Sequence, residues 1–196
     1  ISSSAHLVIV PYLLNWTFPE SQVFIFDVLI QIGTLLAVII HFWPDLIKIL
    51  KAWIKGILDR KPFETSDSRF GWLLIISSIP AGILGLLIKD YVESVFQNPV
   101  GTAGLLLVTA IFLFLGERIG KKNRKLSKLS WIDAIWIGLW QAVSIFPGIS
   151  RSGSTITGGL LRDLDRESAA RYSFLMAVPI MLAMGLLSVL DLIQVP

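Results

Sequence analysis

Long apolar runs separated by short polar segments make up most of this chain. A helix needs about 20 apolar residues to cross a bilayer, with a range of about 17 to 25. Four runs meet this requirement. We therefore expect membrane-spanning helices at residues 23–43, 70–88, 100–116 and 172–190.

Two other apolar runs are too short to cross. Residues 7–14 predict a short or re-entrant helix. Residues 131–146 predict a helix that must stop at Pro147 and Gly148, because proline lacks an amide donor and glycine costs backbone entropy. A second short helix, 152–161, is expected to follow this break as the other arm of a re-entrant hairpin. Its return to the side of entry is favoured by three basic residues: Arg162, Arg166 and Arg171.

Basic residues are concentrated in two connections, 44–69 and 117–130, which hold six Lys or Arg each. The connection 89–99 holds one. The positive-inside rule therefore predicts that both basic connections are cytoplasmic. Within 45–69, apolar positions recur at helical spacing, which is typical of a helix lying along the membrane surface.

Composition agrees with a membrane protein. The chain is 54% hydrophobic and 16% charged, whereas soluble domains are about 45–50% apolar. We expect an all-α integral membrane protein, with residues 1–196 forming a single transmembrane domain. The net charge of +3 lies in short loops and requires no nucleic-acid partner, and the absence of cysteine excludes disulfides. Because the chain begins with Ile1 inside a motif, we expect a fragment that lacks both termini.

The polar segment 147–155 carries the candidate chemistry. Ser150 is a favourable N-cap, so the free amides of the following helix would point into the break and favour an anion. Arg151 adds a permanent charge and a planar donor fork suited to phosphate. In a soluble loop these residues would be an ordinary solvated turn. Irregular backbone and an arginine at membrane depth instead indicate a functional site.

The start of the chain repeats this motif weakly. Residues 1–6 align with 149–154 and share one Ile and two Ser. We expect two hairpins that enter from opposite sides as an inverted repeat, with tips that meet near the bilayer centre. In the first copy, His6 lies on the same helix face as Ser3 and can act as a general acid or base. Ser3 is either a nucleophile activated by His6 or only a cap.

Two polar residues interrupt the first expected span. Asp27 and Gln31 lie four positions apart and share a helix face. Either they form interhelical hydrogen bonds or they line the site. Because neither motif copy contains a carboxylate, a metal-binding acid must come from Asp27, from elsewhere in the bundle, or from upstream of Ile1.

Several segments together resemble a known family. They occur in order and at specific spacing across essentially the whole chain, and they resemble the BacA/UppP family of undecaprenyl-diphosphate phosphatases. The segments are ISSSAH at 1–6, FDVLIQIG at 26–33, IPAG at 79–82, PGISRSGST at 147–155 and RESAARYSF at 166–174.

This resemblance implies a multi-pass enzyme of the bacterial plasma membrane that hydrolyses undecaprenyl diphosphate to the monophosphate. Such an enzyme recycles the lipid carrier for peptidoglycan and other wall polymers. Bacitracin competes for the same diphosphate, so overproduction of the enzyme gives resistance. Carried over by position, Ser3 and His6 match catalytic residues, and Arg151 matches the arginine that clamps phosphate. The residues expected to bind the substrate phosphate with it are Ser150, Ser152, Gly153 and Thr155.

The resemblance also implies a site facing the outer side and a divalent cation, Mg²⁺ or Ca²⁺. The family's first motif has a glutamate-rich stretch before the position of Ile1, and these glutamates are the expected metal ligands. Gln141 occupies the corresponding place of the second copy and could line the site, but it is neutral. We therefore expect the fragment to be inactive and the full-length protein to be active. A homo-oligomer is compatible with the sequence.

One alternative function remains open at this stage. Inverted repeats with helix breaks near the bilayer centre are also transporter architecture. A transporter or flippase for a phosphorylated polyprenyl lipid would need the same anion site.

Overall fold

A computed structural model describes residues 2–17, 20–88 and 98–194, apart from the side chains of 20–25, 27, 28 and 187–194. Regular structure in these ranges is helical except for one isolated bridge between Arg124 and Leu164. The helices are α1 Ser3–Leu13, α2 Glu20–His41, α3 Trp43–Leu58, α4 Ser66–Leu87, α5 Pro99–Ile119, α6 Trp131–Val143, α7 Arg151–Leu161 and α8 Arg166–Gln194, with a short 3₁₀ turn at Leu126–Lys128.

Three described helices are long and apolar enough to cross a membrane: Ser66–Leu87, Pro99–Ile119 and Arg166–Leu186. A fourth span is obtained if Leu29–His41 and Trp43–Leu58, which meet at 80°, are counted as one broken span. The prediction of an all-α integral membrane protein is thereby confirmed.

The helix boundaries differ from prediction in two informative places. α4 begins at Ser66, so Arg69 belongs to its first turns rather than to the polar connection. Thr65 caps this helix by accepting a hydrogen bond from the Ser68 amide, and Asp67 favours the positive helix end. α6 ends at Val143, three residues before Phe146, with Ser144 as its C-cap. The residue directly before a proline is disfavoured in helical geometry, which explains why Phe146 is not helical.

The elbow between α2 and α3 is fastened to α8. The Phe42 ring stacks on Phe174 with centroids 6.3 Å apart. Arg171 donates a hydrogen bond to the Asp45 carboxylate over 2.6 Å. α8 therefore fastens the start of α3, which packs along α4.

The core lies where the short helices α6 and α7 pack between α4 and α8. Tyr172 is fully buried there, and its hydroxyl donates to the Leu73 carbonyl over 2.9 Å. Gly138 lets α6 approach α4 closely, because a Cβ at this position would lie 2.6 Å from the Ser77 carbonyl oxygen. Small residues at helix contacts are a common means of packing membrane helices, since they allow close backbone approach.

The start of α6 and the end of α7 are joined through Asp133, which is 0% exposed. Its carboxylate accepts hydrogen bonds from Arg162 Nε over 2.6 Å and from Arg124 Nη2 over 2.7 Å. Ser130 completes the cap of α6 by donating to the same carboxylate. α6 and α7 therefore form a hairpin whose entry and exit lie at one end, as the run of arginines after residue 161 predicted.

Asp133 is ionised in this setting. Burial alone would raise its pKa, but hydrogen bonds from Arg124, Arg162 and Ser130 outweigh burial and hold the pKa well below its usual value. The connection 120–130 is thus not simply a solvated basic loop. Backbone bonds also fix it to the turn between α7 and α8, where the Asn123 and Arg124 amides donate to the Asp163 carbonyl.

Candidate functional site

The residues of the predicted anion site lie at the tip of the α6–α7 hairpin. α7 begins at Arg151, and Ser150 is its N-cap, accepting a hydrogen bond from the Gly153 amide over 3.1 Å. Ser150 is 3% exposed. The prediction that Ser150 caps a helix after the break is therefore confirmed.

The turn before Ser150 requires glycine at position 148. Gly148 has φ of +100°, a conformation that residues with a side chain rarely adopt. A Cβ here would also overlap the Thr102 carbonyl oxygen of α5. The turn is thus pressed directly against the α5 backbone.

A threonine of α5 holds this turn from the side. The Ser150 amide donates to Thr109 Oγ1 over 3.0 Å, and the Thr109 hydroxyl lies 3.4 Å from the Gly148 carbonyl oxygen. Sequence reasoning missed Thr109. The available signal was the spacing of Thr102 and Thr109, two polar residues seven positions apart on one face of an apolar span.

Arg151 is half-buried, yet within the described ranges no carboxylate or other side chain pairs with it. Beside it, the Ser150 and Ser152 hydroxyl oxygens lie 3.3 Å apart. An unpaired arginine, adjacent hydroxyls and the free amides of a helix start are the groups that bind a phosphate.

Gly153 and Thr155 support the tip from inside. Gly153 faces Thr109, whose Cγ2 would lie 2.6 Å from an added Cβ. The Thr155 hydroxyl is buried and lies 2.6 Å from the Ser173 hydroxyl of α8. Both residues fix the position of α7, and direct contact between them and phosphate stays a prediction.

In the first motif, the alternative in which Ser3 is the helix cap is wrong. Ser2 is the N-cap of α1 and accepts a hydrogen bond from the Ala5 amide over 3.3 Å. Ser2 takes this place because its backbone is extended while Ser3 is already helical. Ser3 is exposed. Its role as a nucleophile stays a prediction.

His6 is exposed, and its Nδ1 lies 2.7 Å from the Ser2 carbonyl oxygen. A carbonyl only accepts hydrogen bonds, so Nδ1 carries the proton and Nε2 of the neutral ring is left as a base. The imidazole is therefore oriented by the backbone of Ser2 and not by the Ser3 hydroxyl.

The two tips share a support, because α1 and α7 both pack against α5. That Ser3 and His6 act on the same ligand as Arg151 stays a prediction.

The three predicted site-lining residues have different outcomes. The side chain of Asp27 lies outside the described residues, and Gln31 is half-buried in α2. Gln141 is 2% exposed and donates from Nε2 to the Ser77 carbonyl over 3.3 Å, while its Oε1 has no partner within the described ranges. Gln141 thus bridges α6 and α4 in the core, and its contact with a ligand stays a prediction.

A divalent cation would need several acidic or histidine side chains close together. In residues 2–17, 20–88 and 98–194, no three His, Cys, Asp or Glu side chains lie together as ligands for an ion. The described residues therefore do not by themselves provide the ligands of a divalent cation.

Comparisons with known proteins identify the family of this chain. A family model described as "Bacitracin resistance protein BacA" matches residues 1–195. Among similar curated proteins named undecaprenyl-diphosphatase, that of Thermomicrobium roseum is 42% identical, covering 99% of this chain and 71% of the relative. That of Chlorobium phaeovibrioides is 44% identical, covering 95% and 67%, and that of Chloroherpeton thalassium is 44% identical, covering 97% and 69%. The chain therefore belongs to the BacA family of bacitracin resistance proteins.

Proposed function

We propose that this protein hydrolyses undecaprenyl diphosphate to undecaprenyl phosphate and phosphate, recycling the lipid carrier for cell-wall synthesis. The observation that carries the proposal is Arg151, half-buried at the start of α7 and paired with none of the described side chains. The names of the relatives support hydrolysis over the transport alternative.

In this proposal, the second motif binds the terminal phosphate. The Arg151 guanidinium and the open amides of α7 neutralise the charge that develops on the phosphoryl oxygens. Ser150 and Ser152 supply hydroxyl groups beside it. The transferred group is thereby held in line for attack.

The first motif, residues 1–6, accepts the proton that is released in the reaction. His6 Nε2 accepts the proton of the attacking group, which is water or the Ser3 hydroxyl. The bond between the terminal phosphorus and the bridging oxygen breaks, and undecaprenyl phosphate leaves with that oxygen. When Ser3 attacks, water releases phosphate in a second step.

The finer location belongs to the same proposal. The protein resides in the bacterial plasma membrane with the Asp133 end of the hairpin cytoplasmic, which the basic residues of 44–69 and 117–130 support. The phosphate site then faces the outer side. Bacitracin, which binds the diphosphate, competes with the enzyme for it.

The cation requirement is a further part of the proposal. Hydrolysis depends on Mg²⁺ or Ca²⁺, held at least in part by carboxylates that are not among the described side chains. A divalent cation would supply charge neutralisation for the diphosphate.

The test is phosphate release from undecaprenyl diphosphate by the purified full-length protein in detergent, with Mg²⁺, Ca²⁺ or EDTA. We expect cation-dependent release that falls at least about 100-fold in His6→Ala, because a general base contributes about 10²–10⁴. The matched control is His41→Ala, which removes the other histidine of the chain, an exposed ring packed edge-on against Phe42.

Each arm can fail separately. Release that persists in EDTA would contradict the cation requirement alone. Equal rates in the two histidine variants would remove His6 from the mechanism. The absence of release under all conditions would overturn the proposed hydrolysis.

A further inference from the structure

Thr109 is a buried hydroxyl on a helix that belongs to neither motif. It is 4% exposed and lies on α5, 41 positions before the residue whose amide it accepts. A hydroxyl has one proton and two acceptor positions. Thr109 uses this capacity to accept from the Ser150 amide at 3.0 Å while lying within reach of the Leu105 and Gly148 carbonyl oxygens at 3.3 and 3.4 Å.

The same side chain also sets the spacing of α7. Its methyl group, Cγ2, lies against Gly153, where an added Cβ would be 2.6 Å away. Gly153 donates its amide to the Ser150 hydroxyl over 3.1 Å. Thr109 therefore touches both residues that form the N-terminal cap of α7.

We propose that Thr109 is a positioning residue for the phosphate-binding turn. By holding the Ser150 amide and packing on Gly153, it fixes the first turn of α7 and so directs the Arg151 side chain and the free amides toward the anion. This inference rests on the proposed function, since it treats that turn as the phosphate site. Thr109 acts through Ser150 and does not itself contact substrate.

The chain offers variants that separate hydrogen bonding from packing. Thr109→Val keeps the shape but removes the hydroxyl, which leaves the buried Ser150 amide without its acceptor. Thr109→Ser keeps the hydroxyl and removes the methyl group.

Thr157→Val is the matched control. Thr157 is also buried at the contact of α5 and α7, with Cγ2 against Gly116. Its hydroxyl, however, donates to the Gly153 carbonyl of its own helix over 2.7 Å. The same substitution there removes a buried hydroxyl without freeing the amide of the turn.

Two properties of each full-length variant are measured in detergent: kcat/KM for undecaprenyl diphosphate, and the Kd of inorganic diphosphate by calorimetry. We expect Thr109→Val to lower kcat/KM about tenfold and to raise the Kd about tenfold, since an unpaired buried amide shifts the turn. Thr109→Ser should remain within about threefold of the wild type, because a hydroxyl is worth more here than a methyl group. Thr157→Val should remain within about twofold.

The outcomes distinguish this inference from the proposed function. If the wild type binds diphosphate without hydrolysing its lipid ester, and Thr109→Val weakens that binding, the positioning role stands and hydrolysis fails. If Thr109→Val and Thr157→Val behave alike in an active enzyme, Thr109 is only a packing residue and the inference is overturned. If the wild type neither binds nor hydrolyses, the turn is not an anion site and both are overturned.

Discussion

At the base of the α6–α7 hairpin, Arg124 and Arg162 both bind the Asp133 carboxylate, at 2.7 and 2.6 Å. At the tip, Arg151 is half-buried and pairs with no side chain in the described part of the chain. Removing an arginine from water is costly unless a partner compensates it. The base provides that partner within the fold, whereas the tip leaves the place for a ligand. Pairing, rather than residue type, thus separates the structural arginines at the base of this hairpin from Arg151, which we propose to bind the substrate phosphate.

The largest expected effect is a loss of turnover on substitution of Arg151 at the tip. Arg151→Ala should lower kcat/KM for undecaprenyl diphosphate at least about 1000-fold, because an arginine that stabilises a phosphoryl transition state contributes about 10³–10⁵. Its thermal midpoint in detergent should not fall, since no pairing with a described side chain is lost. The control is Arg118→Ala, which removes an exposed arginine stacked over Phe114. Retained turnover with a lowered midpoint would make Arg151 a structural residue.

A smaller effect is expected at the base of the hairpin, where a substitution should lower stability and leave turnover unchanged. Asp133→Asn leaves Arg124 and Arg162 without their carboxylate. Breaking a buried pair costs about 3–5 kcal/mol, but these arginines are 28% and 39% exposed, so we expect a loss of about 2 kcal/mol. The free energy of unfolding in mixed micelles measures this. Turnover of the folded fraction should stay close to that of the wild type, and a selective loss of turnover would contradict the contrast.

Acid should reduce the difference in the free energy of unfolding between the wild type and Asp133→Asn. The pKa of Asp133 is lower in the folded state, so its contribution to stability is complete above the unfolded pKa of about 4. It is lost as the pH falls from there toward the folded pKa. Unfolding measured between pH 6 and pH 3 should therefore show the two proteins converging in acid, whereas a constant difference would mean that the carboxylate charge is not responsible.

The smallest effect is expected for a surface pair. Lys48 lies 3.1 Å from Asp67, but the two side chains are 70% and 33% exposed. Lys48→Gln should change the free energy of unfolding by less than about 0.5 kcal/mol, as is usual for exposed pairs. Lys51→Gln, at another exposed lysine of α3, provides the reference. A loss at Lys48 as large as that at Asp133 would show that burial is not what distinguishes the base.

The sequence predicted much of this contrast, because apolar periodicity and helix breakers are local. The stop before Pro147, the cap at Ser150 and the return of the hairpin all follow from neighbouring residues. The partners of Asp133 and Ser150 could not be predicted in this way. Arg124 was read only as part of a basic loop, and Thr109 only as part of an apolar span, since their contacts depend on how separate helices pack. The cap of α1 is Ser2, one residue before Ser3, for which capping was one of two alternatives; this offset is within the usual uncertainty of helix ends.

The ion pair between Arg171 and Asp45 also has a consequence for biogenesis. These residues are 126 positions apart, so the elbow between α2 and α3 emerges from the ribosome well before α8 does. At about 5–20 residues per second, translation leaves the elbow without its partner for on the order of ten seconds. The surface position predicted for α3 therefore has to be maintained by its own amphipathic face until α8 arrives and fastens the elbow.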